Sequence, residues 1–344
     1  MVIVNARFLT QKVTGVQRFA IEISKVLRKL DSEIVFVTPF NVIDNALAEE
    51  LGAIVIGKNK GSVWEQIDLR IYLRSKNNPL VVSFCNTGLV FYNNQVVTIH
   101  DMSYKVNPGW FPRTFYLWYN FLIPHIAKRC LRLFTVSDSS KKDILKYLNI
   151  RQEKIRVIYN SSNLNTNNNF EQIEAGRYLL SVSSLDPRKN LNNLLKAYKD
   201  IDEKVNLIVV GLKKDNFELD ERLLSERVIV KSYVSDDELA SLMRYAEAFV
   251  YLSFYEGFGL PPLEAMSMGC PVIVSDISAH REVCGNAALY VDPYDVEAIK
   301  GKIINLLNSD QLKTELILAG KENIKRFSWF ESGQKILNNI NELV

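Results

Sequence analysis

A chain of 344 residues, 47% of them hydrophobic and 24% charged, is long enough for two domains that each bury a core, and too apolar to stay disordered. It has no run of 18 apolar residues, and its start, MVIVNARF, carries charge too early for a signal peptide, so the expectation is a cytoplasmic protein without a spanning segment. The net charge of +3 hides an asymmetry: residues 1–165 hold 22 Lys+Arg against 12 Asp+Glu, or +10, leaving 20 against 27, or −7, for the remainder. Cys85, Cys130, Cys270 and Cys284 form no C-x-x-C pair and read as buried free thiols of a reducing compartment.

In chain order, Val2 to Asn5 is a short first strand, and a loop with one glycine, Gly15, leads into an amphipathic helix through Phe19, Ile23, Val26 and Leu30. Apolar, β-branched runs at 34–37, 53–56, 80–84 and 96–99 predict further strands, with a helical segment at 62–75 among the connections. Such alternation predicts a doubly wound parallel sheet, in which ligands collect beyond the carboxyl ends of the strands. His100 and Asp101 directly follow one of these strands, which makes them candidates for chemistry. Residues 104–132 interleave Trp110, Phe111, Phe115, Tyr116, Trp118, Tyr119 and Phe121 with Arg113, and end on Lys128, Arg129 and Arg132. Much of that helix must face the core, yet rings flanked by cations also suit a membrane interface or a lipid-diphosphate acceptor. Thr135 to Asp143 reads as strand end, helix cap and helix, and 155–158 as the last strand of this half. The polar, aperiodic run from Asn160 to Asn169 is the linker.

The pattern restarts with a strand at 178–182, after which Arg188 and Lys189 precede a helix. Two cations in that place fit either a solvated turn or a diphosphate site. Strands at 205–211 and 228–230 follow, then Tyr233, Val234 and Ser235, an N-cap whose box Glu238 completes. A strand at 248–252 runs into the richest stretch, SFYEGFGLPPLEAMSMGCPVIV from Ser253 to Val274. Gly257 and Gly259 permit positive φ and close approach of a ligand, Pro261 and Pro262 suit a first helical turn, and Gly269 ends the helix. The N–H groups of Phe258, Gly259 and Leu260 at such a helix start invite a phosphate. Glu256 and Glu264 would repel it unless they face sugar hydroxyls, which together suggests a nucleotide sugar; either alone reads equally as a turn cap or a first-turn acid. A strand at 271–274, a late strand at 287–293, helices at 294–307 and 310–326 and a final helix capped by Ser328 complete the chain.

EGFGLPPLEAMSMGCPVI resembles the Glu-x7-Glu signature of the large family 4 of retaining glycosyltransferases. Matches at Thr14-Gly-Val-Gln-Arg-Phe19, at His100-Asp101 and at 178–190 fall in the family's order and extend the resemblance over nearly the whole chain. It implies an α/β protein of GT-B fold: two facing Rossmann-like domains with parallel sheets and a cleft between them. Residues 1–165 would be the acceptor-side domain and 170–326 the nucleotide-sugar domain, with a helix at 327–344 crossing back. The implied roles put Glu256 beside the donor sugar with His100, which is paired with Asp101. Gly15 and Val16 lie across from the diphosphate, Lys189 grips it, and Gly257, Phe258, Gly259 and Leu260 form the donor-binding turn. Tyr233 and Val234 border the base, and Glu264 binds the ribose. Many members have Gly-Arg where Ser183 and Ser184 stand here, which leaves Arg188 as the candidate second phosphate ligand.

The implied reaction moves a hexose, mannose or rhamnose favoured, from GDP-mannose or dTDP-rhamnose to a hydroxyl of a glycan or lipid-linked glycan, with retention, in cell-surface polysaccharide such as O antigen. No cofactor and no metal are expected: Lys189, Arg188 and the helix-start amides take the ion's place, and Asp200-Ile201-Asp202 reads as a helix-end turn. Two readings stand beside this one, a nucleotide-sugar epimerase of the same architecture and a non-catalytic glycan- or nucleotide-binding partner of a synthesis complex. Expected partners are the donor, a glycan or lipid-diphosphate acceptor and the cytoplasmic face of the inner membrane, but no nucleic acid.

Overall fold

The computed structural model describes residues 1–164, 176–183, 186–201, 204–211, 223 and 225–344. Residues 165–169 of the expected linker, Ser184 and Asp202 lie outside the described residues. The chain divides into two compact units, Met1–Asn160 with Phe327–Val344, and Ser161–Arg326. Among the described residues no helix is long and apolar enough to cross a membrane.

The first unit is built on a seven-stranded parallel sheet of β1 (Val2–Asn5), β2 (Val35–Thr38), β3 (Ile54–Val55), β4 (Leu80–Ser83), β5 (Gln95–Thr98), β6 (Arg132–Thr135) and β7 (Ile155–Val157), ordered β3-β2-β1-β4-β5-β6-β7. β1 and β4 are buried along their whole length, which is why they read as unbroken apolar runs rather than alternating ones. The helix Gly15–Leu30 buries Phe19, Ile23 and Leu27, residues spaced four apart on one face. The final helix, Trp329–Asn341, packs beside it and places Gly333 against Val26.

Three local features depart from the sequence expectation. The strand expected at 53–56 shrinks to Ile54–Val55 at the sheet edge, both exposed, because an edge strand gains no core from its length. A helix, Asn45–Leu51, stands where none was expected; the Asp44 carboxylate accepts from Leu47 N at 3.0 Å and Gly52 closes it in the left-handed region at φ 61°. The segment 61–75 is helical but widens to a π-turn over Trp64–Asp68, which turns the Glu65 carboxylate into the interior.

The second unit carries a six-stranded parallel sheet of β8 (Tyr178–Val182), β9 (Asn206–Val210), β10 (Val228–Lys231), β11 (Ala248–Tyr251), β12 (Val272–Ser275) and β13 (Leu289–Val291), ordered β10-β9-β8-β11-β12-β13. Ser235 caps the helix Asp236–Tyr245 by accepting from Glu238 N at 3.1 Å, as expected. The box is not completed as read, since the Glu238 carboxylate pairs with Lys231 at 2.7 Å instead.

A Cβ on Gly333 would overlap the Val26 side chain. Gly333→Ala should therefore destabilise the protein by about 1–3 kcal/mol in denaturant unfolding, and Val26→Ala added to it should return most of the loss.

Candidate functional site

In each sheet the strand order reverses once, between β1 and β4 and between β8 and β11, and at such a point the turns beyond two neighbouring strands diverge and leave room for a ligand. In the second unit those turns are laced together. Phe254 N donates to the Arg188 carbonyl at 2.8 Å, and Asn190, in the left-handed region at φ 54°, donates its amide to the carbonyls of Leu252 at 3.1 Å and Pro293 at 2.7 Å. The turn after β8 thereby delivers Lys189 to the turn after β11. Its ammonium lies 2.5 Å from Glu256 Oε1 and 2.6 Å from the Tyr251 hydroxyl, which itself donates to the same carboxylate oxygen at 2.8 Å.

Burial makes this cluster stiff. Burial alone would push the Glu256 carboxyl up, but the Lys189 charge and hydrogen bond pull it down to about 2. Burial disfavours the Lys189 ammonium, and Glu256 more than restores it, so its pKa lies above the ordinary value. The pair is a fixed cation and a fixed anion throughout the neutral range. Arg188 is held differently: its Nε donates to Asp186 Oδ2 at 2.7 Å, so its charge is partly matched within its own turn.

Next to Glu256, Gly259 takes φ 98° and opens the helix Leu260–Ser267 with prolines in its first turn. Of the two glycines that permit positive φ, Gly259 uses it, where the chain reverses into the helix, and Gly257 does not. A Cβ there would also stand 2.9 Å from His280 Cδ2. Phe258 and Glu264 are buried, Glu264 within the helix. Tyr233 and Val234 follow β10, two strands from β8, with the Tyr233 side chain 87% exposed.

His280 is a site residue the sequence reading passed over. The Ser275 hydroxyl donates to the Ser253 carbonyl, so His280 Nδ1–H is the donor to the Ser275 carbonyl at 3.0 Å, and Nε2 is left a buried acceptor without a partner. Burial lowers its pKa to about 4 even though Glu256 favours its charged form. Tyr251 was likewise read only as a strand residue, and Asn190 only as the end of a turn. A lone His after a strand carried no motif, and no spacing rule announces that a strand's last tyrosine turns its hydroxyl to a glutamate five residues further on.

The first unit gathers the remaining candidates at the carboxyl end of its sheet. Gly15 and Val16 open a helix whose Phe19 ring meets the His100 ring edge-on at 5.1 Å. His100, buried, donates Nε2–H to the Phe84 carbonyl at 2.8 Å, leaving Nδ1 as the acceptor nitrogen; burial lowers its pKa, against the Phe84 hydrogen bond and the Asp101 charge. Asp101 Oδ1 accepts from Ser103 N at 2.8 Å. At the β1/β4 reversal stands a polar network that the sequence did not announce. Glu65 Oε1 accepts from Asn5 Nδ2 at 2.8 Å and Thr87 Oγ1 at 2.9 Å and lies 3.5 Å from Arg7 Nε, while Arg7 Nη2 donates to Thr87 Oγ1 at 2.7 Å. Among the described residues no group of three or more His, Cys, Asp or Glu is placed to hold a metal ion, and Asp200 caps the end of Leu191–Lys199.

Comparison with known proteins matches residues 13–165 to the profile of Glycosyltransferase Family 4 and residues 165–323 to that of Glycosyl transferases group 1. The O-antigen chain mannosyltransferase RfbU of Salmonella typhimurium is 36% identical over 71% of this chain and 69% of its own length. The O-antigen chain mannosyltransferase B of Escherichia coli is 32% identical over the same shares of the two chains. Among solved structures, Anabaena Alr3699/HepE in complex with UDP-glucose covers 99% of both chains with a TM-score of 0.75 at 18% identity, a likeness of fold.

Two predictions follow from the charges. Lys189→Met strands a buried carboxylate and should cost about 3–5 kcal/mol in denaturant unfolding, and adding Glu256→Gln should recover more than half of that. His280 resists protonation only when folded, so its contribution is complete above its unfolded pKa of about 6.5 and is lost as pH falls through its folded value of about 4. Glu256 acts lower, its contribution complete above the ordinary carboxylate range and lost as pH falls towards about 2. His280→Asn should therefore flatten the stability curve between about pH 6.5 and 4, removing a loss of roughly 3 kcal/mol, and leave the lower limb in place.

Proposed function

This chain belongs to the family 4 glycosyltransferases of GT-B fold, and from that premise we propose that it moves mannose from GDP-mannose to a hydroxyl of a growing cell-surface glycan, with retention at the anomeric carbon. It is a hexosyltransferase by family; the sugar and nucleotide are our reading, with dTDP-rhamnose the second donor. Neither an epimerase nor a non-catalytic partner is supported by the relatives.

The observation that carries the reading is the Lys189–Glu256 pair at the strand-order reversal of the second unit, one turn from a helix start. As the bond between the anomeric carbon and the diphosphate breaks, negative charge grows on the leaving oxygen. Lys189, Arg188 and the amides of Gly257, Phe258, Gly259 and Leu260 would meet that charge, and stabilisation that is larger in the transition state than in the bound donor raises the rate. Glu256 stays ionised at neutral pH and so cannot donate a proton; its role is to hold sugar hydroxyls and to offset positive charge developing on the ring. The acceptor hydroxyl forms the new bond on the face the diphosphate leaves, and its proton passes to a departing phosphate oxygen. Glu264 would take the ribose, and Tyr233 with Val234 the base. Gly15, Val16, His100 and Asp101 are the first unit's own candidates, and the acceptor is a glycan, free or on a lipid diphosphate. The chemistry needs no metal, and the work is done in the cytoplasm at the inner membrane.

The test uses purified protein, a panel of nucleotide sugars and excess chelator. GDP-mannose at about 100 times its dissociation constant should stabilise the fold by roughly 2.7 kcal/mol, and turnover should persist without divalent ions. Glu256→Gln should keep donor binding and lose about 100-fold or more in kcat. Full turnover by that variant, or conversion of donor with no acceptor present, would overturn the assignment.

A further inference from the structure

The strand-order reversal of the first unit, where β1 and β4 part, holds a charged pair for which the donor chemistry has no use. Arg7 follows β1, and Glu65 comes from the π-turn of the 61–75 helix; their side chains are 12% and 1% exposed. Taking a guanidinium and a carboxylate out of water is costly, and an apolar pair of the same volume would hold the two turns at least as well. A charged pair retained at the place where such sheets bind ligands therefore points to recognition. The pair is also incompletely used. Every contact of the carboxylate falls on Oε1, which meets Asn5 Nδ2, Thr87 Oγ1 and Arg7 Nε, while Arg7 commits Nε to Glu65 and Nη2 to Thr87. Among the described residues Glu65 Oε2 accepts no hydrogen bond and Arg7 Nη1 donates none. One acceptor oxygen and one N–H₂ group of the same ion pair are thus left for a ligand.

The surroundings are stiff and carry no net positive charge. Beyond β4, Asn86 is held in the left-handed region at φ 60°, where its Oδ1 accepts from His100 N at 2.7 Å. Tyr119, on the helix Arg113–Arg129, is fixed by the stacked ring of Phe115 at 4.0 Å and by the edge of Tyr104 at 5.7 Å. Burial pushes its hydroxyl up to about 12, and the charges of Arg7, Glu65 and Asp101 all act on it. Cys85, whose thiol burial also pushes up to about 12 beside Arg7 and Glu65, lies with Sγ 4.0 Å from the Val16 carbonyl. Arg7 cancels Glu65, the tyrosine, thiol and His100 are neutral near pH 7, and the charge left over, on Asp101, is negative. A phosphate or carboxylate would lose its water here and gain no cation in return. A neutral ligand with adjacent hydroxyl groups, each able to donate and to accept, satisfies both free positions of the pair.

We propose that this cluster receives the acceptor's terminal sugar and selects a neutral pyranose: Arg7 Nη1 donates to one hydroxyl group, Glu65 Oε2 accepts from the adjacent one, and the Tyr119 hydroxyl meets a third. The proposal rests on the reading of this chain as a hexosyltransferase with a glycan acceptor, and adds to it the residues and the charge class of the sugar that is extended. Initial rates are measured with GDP-mannose, or with whichever nucleotide sugar of the panel above stabilises the fold instead. The acceptors are the octyl glycosides of mannose, glucose and galactose and the three matching octyl uronides. At least one neutral glycoside should be extended, with kcat/KM about tenfold or more above that of its uronide. Arg7→Lys and Tyr119→Phe, which keep the charge and the ring, should each raise the KM for that glycoside about tenfold, with the KM for the donor and the donor-induced melting shift unchanged. Glu65→Gln leaves Arg7 uncompensated and should narrow the neutral-over-acidic preference about tenfold, a change that loosened packing by itself would not produce. Uronides used as well as neutral glycosides, no transfer to any neutral glycoside, or an acceptor KM that the Arg7 and Tyr119 changes leave in place would overturn the inference. In each of those outcomes the donor would still stabilise the fold, which separates them from failure of the donor assignment.

Discussion

A lysine and a glutamate 2.5 Å apart, both largely withdrawn from water, set the conditions for everything around them in the second unit. Either charge is costly there without the other, since the desolvation each suffers is offset mainly by its partner and by the Tyr251 hydroxyl. That mutual dependence explains the hardware nearby: Asn190 in a left-handed conformation, the backbone bond from Phe254 to Arg188, and the Ser275 hydroxyl tying β12 to the Ser253 carbonyl. Each removes a freedom that would let the pair drift apart. A cation and an anion held in this way are already in place for a ligand that carries phosphate on one side and hydroxyl groups on the other.

His280 fits the same logic from below. Its ring fills the space that the missing Cβ of Gly259 leaves, and its Nδ1–H is committed to the Ser275 carbonyl. A protonated ring would place another cation beside Lys189 in a dry interior, and burial prevents it. The glycine, the neutral imidazole and the ion pair are therefore one packing solution: a larger residue at 259 or a charged ring at 280 would move the turn that bears Glu256.

The first unit repeats the topology with different contents. Its strand-order reversal is occupied by Arg7 and Glu65, which are matched to each other and to Asn5 and Thr87, so that place is polar but nearly neutral. Lys128 and Arg129 instead close the helix Arg113–Arg129, whose Leu117, Trp118 and Phe121 are exposed.

How much of this the sequence determined follows from the range of each interaction. Strand and helix alternation, the doubly wound sheets, the helix start at Leu260 and the candidacy of His100 and Asp101 rest on neighbours in the chain, and periodicity with glycine and proline placement expresses them directly, whereas Lys189 and Glu256 stand out only through the family resemblance. The short edge strand β3, the π-turn that buries Glu65 and the use of positive φ at Gly259 but not at Gly257 depend on how much core each segment meets, which no local pattern encodes. The same holds for Tyr251 and Arg7, which meet Lys189 and Thr87 from neighbouring strands of their sheets. Composition supplied those side chains; only the crossing of parallel strands, which brings distant turns to one edge, decided which of them would touch.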